Sequence, residues 1–150
     1  MSTKAELLSK LRSLLGGRAA EEIVFGTVTA GASGDIQQAT GTARNMVALY
    51  GMSQELGLMA AASVQNRYLD GSAHMDCSDE TAAKVDRAVK RLLDESYAQS
   101  RQILTDNRAL LDEVAQYLLL KETITGEELM SFVNAPKAES AEEPAEESAE

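Results

Sequence analysis

The 150-residue sequence predicts an all-α fold, and three observations carry that reading. Apolar residues make up 44 % of the chain, enough for a core, but there are only two Phe, four Tyr and no Trp. The core must then be built from Leu, Val, Ile, Met and Ala, which suit packed helices better than a sheet. Apolar residues recur at three- and four-residue spacing over long stretches, the period of a helix with one buried face. Ser or Thr stands just ahead of several of these stretches, where a helix needs a side-chain acceptor for its first free amides.

Leu7, Leu8, Leu11, Leu14 and Leu15 define the first helix, which Gly16-Gly17 is expected to interrupt. A second short helix is expected from Arg18 to Phe25, stopping at Gly26. The stretch TVTAGAS, Thr27 to Ser33, is β-branched and then small, and reads as an extended piece entering a tight turn. Ser33 is the expected N-cap of the next helix, with Asp35 in its first turn. That helix carries Ile36, Ala39, Ala43, Met46, Val47 and Tyr50, and ends near Gly51.

Met52 to Cys77 is the least regular stretch, and its glycines at 57 and 71 suggest loops and a short hairpin. Ser78, followed by Asp79 and Glu80, opens a long amphipathic helix through Val85, Val89, Leu92, Leu93, Tyr97, Ile103 and Leu104. Asp106-Asn107 breaks it, and Leu110, Leu111, Val114, Tyr117 and Leu118 mark an antiparallel partner, so a long helical hairpin is expected. Thr125 and Glu128 have capping-box spacing ahead of Leu129, Phe132 and Val133. Residues 135–150 hold six Glu and one Lys in an Ala/Glu/Ser background and read as a disordered acidic tail. That tail carries half of the net charge of −10.

Composition excludes several classes of function. No Lys/Arg cluster approaches a phosphate-binding stripe, so nucleic acid is not an expected partner. No window approaches 18 consecutive apolar residues, and the N-terminus lacks a signal-peptide apolar block. A single cysteine rules out an internal disulfide, and one thiol with one histidine cannot close a zinc site. His74 reads as a solvated loop residue and Cys77 as a small residue beside a helix cap. The sequence contains no H-E-x-x-H, no G-x-S-x-G and no G-x-x-x-x-G-K-[ST].

What composition does not explain is an ordered series of blocks: LLGGRAAEEIVFG, TAGASGDIQQAT, ARNMVALYGMS and LG between Leu14 and Gly57. SDETAAKVDRAVKRLL and ILTDNRALLDEVAQYLLLKETITGEEL follow. In that order they resemble the FtsH family of membrane-anchored, ATP-dependent zinc proteases, over roughly residues 5 to 133. The resemblance implies that residues 1–134 are the C-terminal portion of a helical zinc peptidase domain, with 135–150 as its tail. In the whole protein it implies N-terminal membrane segments, an ATP-hydrolysing AAA module and a homo-hexameric ring. Its substrates would be unfolded or damaged membrane and cytosolic proteins. The setting implied is the bacterial inner membrane, with the protease facing the cytoplasm.

The family's zinc is held by two histidines of an H-E-x-x-H helix and by an aspartate in the motif GAS-x-D. Gly31, Ala32, Ser33, Gly34 and Asp35 match that motif, with Gly34 where asparagine is common, so the resemblance makes Asp35 the third zinc ligand. By itself, Asp35 would only complement the helix dipole, an effect of about 0.3–1 kcal/mol. Glu21 is the candidate for a carboxylate that hydrogen-bonds the ligating histidines, against a solvated face or an ion pair with Arg18. Arg44 is expected to pair with an acid. The H-E-x-x-H helix, with its general base, precedes GGRAAEE in the family and is not found in this sequence. The chain alone is therefore expected to be inactive, with an incomplete zinc site and no ATP binding. The apolar faces that helix covers around residues 4–35 are expected to be exposed. The competing expectation is a non-catalytic helical interaction module built on the protease scaffold.

Overall fold

The computed structural model describes residues 2–64 and 73–135. The element order is α1 (Lys4–Phe25), a 3₁₀ turn (Ala30–Ala32), α2 (Ser33–Ala48), β1 (Ala62–Val64), β2 (Ala73–Met75), α3 (Asp79–Asp106), α4 (Arg108–Lys121) and α5 (Gly126–Asn134). The fold is all-α apart from one two-stranded antiparallel hairpin, in which Ala62 faces Met75 and Ser63 faces His74. Two compact units result, one ending at Asn107 and one starting at Arg108. The expected tail lies outside the described residues beyond Ala135.

In the first unit α1, α2 and α3 pack on one another. Leu11, Met46, Val47 and Val85 are its largest fully buried side chains. Ala39 and Ala43, four residues apart on α2, are also completely buried. Removing such large side chains from water is worth about 1.5–3 kcal/mol each, the main source of stability in a core with few aromatics. Cys77 is half-buried against this core, as a small apolar residue beside a cap. The buried Ser100 on α3 has its hydroxyl within hydrogen-bond distance of two carbonyls that share its one proton, Arg12 at 2.8 Å and Ser96 at 3.0 Å. The hairpin is tied to α2 where the Ala61 amide donates to the Ala48 carbonyl at 2.8 Å.

One expectation fails at Gly16-Gly17. The chain does not break there; α1 runs unbroken for 22 residues. Each glycine costs about 1 kcal/mol in a helix interior. The buried positions Leu11, Leu15 and Ala19 keep a four-residue spacing across the pair, so breaking the helix would uncover one side or the other. Tertiary packing outweighs local preference. The helix ends where expected, at Gly26, whose φ of 62° is the left-handed conformation of a helix stop. Its start is a capping box that the sequence reading did not single out: Thr3 accepts from the Glu6 amide, and Glu6 accepts from the Thr3 amide.

The second unit is α4 followed by α5. Thr125 and Glu128 form the expected capping box, with the Glu128 amide donating to Thr125 Oγ1 at 3.2 Å and the Thr125 amide to Glu128 Oε2 at 2.9 Å. Tyr117 and Phe132 meet edge to face, centroids 5.1 Å apart. Between the helices Glu122 takes φ 63° without being glycine, a conformation costing an L-residue about 1–2 kcal/mol. No helix among the described residues is long and apolar enough to cross a membrane.

Candidate functional site

The GAS-x-D motif sits where the chain passes from α1 into α2. Ala32 is buried and starts α2 without any side-chain cap hydrogen bond. Ser33, expected to be the N-cap, is instead the first residue of the helix. The preceding 3₁₀ turn takes over the start: the Ser33 amide donates to the Ala30 carbonyl, so the chain is already wound when α2 begins. The side-chain cap has moved upstream to Thr29, whose Oγ1 accepts from the Gly31 amide at 3.1 Å.

Asp35 lies in the first turn of α2 and is exposed. Its carboxylate has no hydrogen-bond or ion-pair partner among the described residues. The rest of α2 is held by Ala39, Ala43, Met46 and Val47 in the core. An open carboxylate thus stands on the end of a fixed helix. Val24, Phe25, Val28 and Ile36, which flank it in sequence, are exposed, Phe25 by 72 %.

Glu21 is half-buried on α1 and reaches the same loop. Its Oε2 accepts from the Thr29 amide at 3.2 Å, and its Oε1 accepts from Thr29 Oγ1 at 3.0 Å. Arg18, one turn earlier, donates from Nη1 to the Thr29 carbonyl at 2.8 Å. Neither a solvated face nor a direct Arg18 ion pair describes this carboxylate; both side chains bind Thr29. Glu22, next to it, accepts from the Tyr97 hydroxyl on α3. Burial, and then that contact with Glu22, push the Tyr97 phenol above its usual range. Arg44 does find an acid, Asp86 on α3, at 3.1 Å.

Sequence reasoning did not single out Thr29. The signal was present: a Thr two residues before Gly31, with an acid and a base one helical turn apart upstream.

A zinc ion at a catalytic site takes three protein ligands, and a carboxylate oxygen is an accepted one. Asp35 fits as one such ligand because it is exposed and unpaired. Among the described residues no three His, Cys, Asp or Glu side chains are grouped to hold a metal. His74 lies in β2, opposite Ser63. A surface cleft of ≈ 430 Å³, lined in part by Lys4, Leu8, Val47, Met52, Arg91 and Glu95, includes neither Asp35 nor Glu21.

Comparison with known proteins gives the same direction. The model of peptidase family M41 matches residues 1–132. The chain is 46 % identical over 145 residues to the ATP-dependent zinc metalloprotease FtsH of Clostridium perfringens, covering 95 % of this chain and 20 % of that protein. It is 45 % identical over 133 residues to the FtsH protease of Lancefieldella parvula, covering 89 % and 21 %. Over 135 residues it is 45 % identical to that of Thermotoga maritima, covering 88 % and 22 %. The chain spans about a fifth of the length of the curated relatives it matches.

Proposed function

The chain belongs to peptidase family M41, and from that premise we propose that residues 1–134 act as the C-terminal portion of the peptidase domain of an ATP-dependent zinc metalloprotease. Residues 135–150 are its acidic tail. In the whole protease, ATP is used by a separate AAA module that unfolds and feeds substrate, and the subunits form a hexameric ring. Substrates are unfolded or damaged membrane and cytosolic proteins, and the enzyme is held in the bacterial inner membrane, facing the cytoplasm, by segments outside these residues.

Asp35 contributes one zinc ligand; two histidines and the general base come from an H-E-x-x-H helix. Zinc bound by these three ligands would supply Lewis-acid polarisation and lower the pKa of a bound water. Asp35 would offer the metal one carboxylate, carried on a helix held by its buried face. Glu21 supports it from α1. A carboxylate has about four lone-pair positions; two of those of Glu21 are taken by Thr29, leaving capacity for the N–H of a ligating imidazole. The exposed apolar residues Val24, Phe25, Val28 and Ile36 give the histidine-bearing helix a surface to cover.

The observation that carries this reading is the open, unpaired carboxylate of Asp35 on an otherwise well-held helix. Asp35→Asn in the protein that carries this region together with an H-E-x-x-H helix tests it. Loss of partners outside the ligand set costs about 10–100-fold in metal affinity, so loss of a ligand should weaken zinc by more than about 100-fold and abolish casein hydrolysis. Zinc affinity equal to that of the unsubstituted protein sinks the assignment. The 150-residue chain alone degrades no casein, with or without added zinc.

A further inference from the structure

The loop that delivers Asp35 is exposed from Gly26 to Gly31. Among the described residues it has no strand partner, and β1 pairs with β2. A segment of this kind would ordinarily sample many backbone conformations, each fixed residue costing about 1–2 kcal/mol of entropy. Thr29 is nevertheless engaged at every polar group it has. Its amide donates to Glu21, its carbonyl accepts from Arg18, and its hydroxyl donates to Glu21 while accepting from the Gly31 amide. Two of those partners carry full charges, and charge-assisted hydrogen bonds are the stronger kind. Arg18 and Glu21 stand one turn apart on α1, so a single helical turn grips both sides of one residue's backbone, as a neighbouring strand would. Thr29 stands immediately before the turn that winds into α2.

We propose that Thr29 is a positioning residue for the metal ligand: gripped by Arg18 and Glu21, it sets where the turn at residues 30–32, and hence the Asp35 carboxylate, enters the zinc site. The claim rests on the reading of Asp35 as a ligand. It assigns to Arg18 and to the Thr29 hydroxyl a part in metal binding although neither touches metal. Metal sites depend on such outer contacts, whose loss typically costs about 10–100-fold in affinity.

The test uses the protein that carries this region with its H-E-x-x-H helix and compares Thr29→Val, Thr29→Ser, Arg18→Met and Asp35→Asn. Zinc dissociation is measured by chelator competition, and the visible band of the cobalt-substituted protein reports ligand geometry. Thr29→Val has nearly the same size but cannot bridge Glu21 and Gly31; Thr29→Ser keeps the hydroxyl. Thr29→Val and Arg18→Met should each lose about 10–100-fold in zinc affinity and alter the cobalt band, while Thr29→Ser stays within about threefold of the parent. Amide exchange across Ala39 to Ala48 should be the same in all of them, which separates displacement of the loop from unfolding of α2. Parent-like zinc affinity in Thr29→Val and Arg18→Met, with Asp35→Asn impaired, overturns the positioning role and leaves the ligand assignment standing. If Asp35→Asn itself binds zinc normally, the ligand assignment fails and the positioning role falls with it. Equal losses in Thr29→Ser and Thr29→Val also overturn the proposal, since the hydroxyl would then not matter.

Discussion

The unit ending at Asn107 and the unit starting at Arg108 are both helical, but different forces hold them. In the first, Leu11, Met46, Val47 and Val85 are completely buried and small alanines fill the space between helices. In the second, neither α4 nor α5 buries a single described residue fully, and Leu119 and Leu120 are more than four-fifths exposed. What organises it is one carboxylate. Glu128 accepts from the Thr125 amide at 2.9 Å and from the Tyr117 hydroxyl at 3.0 Å, and it also takes the Lys121 ammonium. The Lys121 Nζ lies 5.1 Å from the Tyr117 ring centroid. Stability in the first unit should follow side-chain volume, whereas in the second it should rest on the Tyr117–Phe132 contact together with the hydrogen bonds of Glu128.

The widest difference should come from Leu11→Ala. Truncating a fully buried leucine costs about 2–5 kcal/mol, and calorimetry should register a fall of about 8 °C or more in the first unit, at about 4–8 °C per kcal/mol for a unit of this size. A fall of only a degree or two would mean that α1 is not the keystone of that core. Next comes Phe132→Ala, which removes the edge-to-face partner of Tyr117. It should lose about 0.5–1.5 kcal/mol beyond the area effect, with NMR shift changes at Tyr117 and along α5. Unchanged Tyr117 shifts and unchanged stability would show that the ring pair does not hold this unit together.

The smallest effect is a pH dependence. The hydrogen bond from Lys121, then those from the Thr125 amide and Tyr117, lower the Glu128 carboxyl from 4.5 to about 2. A depressed carboxyl pKa stabilises the folded form above the unfolded value, and that contribution disappears as pH falls through the folded one. Helical amide shifts of Gly126–Asn134 should therefore hold above about 4.5 and decay toward coil as pH approaches 2, ahead of those of α2. Coincident loss in both units would remove the distinction.

Much of this organisation was legible in the chain itself, and the reasons differ by element. Ser78 with Asp79-Glu80, Thr125 with Glu128, and the break at Asp106-Asn107 are local signals, and the structure uses each as read. The glycine pair misled because its cost is local while the benefit of continuity lies in contacts with α2 and α3, which no nearby residue announces. Ser33 misled for a related reason: a 3₁₀ turn can start a helix without a cap, and three small residues, Ala30 to Ala32, carry no mark of it. For the site, the motif led to Asp35 and Glu21, and physical chemistry alone would have given Asp35 only a dipole role. Thr29 was hidden because its partners Arg18 and Glu21 are meaningful only once α1 is known to pass beside the loop. Glu122, with φ 63° and no glycine to flag it, was equally silent.

The unbroken first helix has a mechanical meaning. Twenty-two residues at 1.5 Å each make a rod of about 33 Å, braced against α3 by Arg12 through Ser100 and by Glu22 through Tyr97. The box at its front end and the grip on Thr29 near its back end therefore ride on one lever. The capping box at Thr3 and the side chains that hold Thr29 thus belong to one continuous helix, with no joint between them.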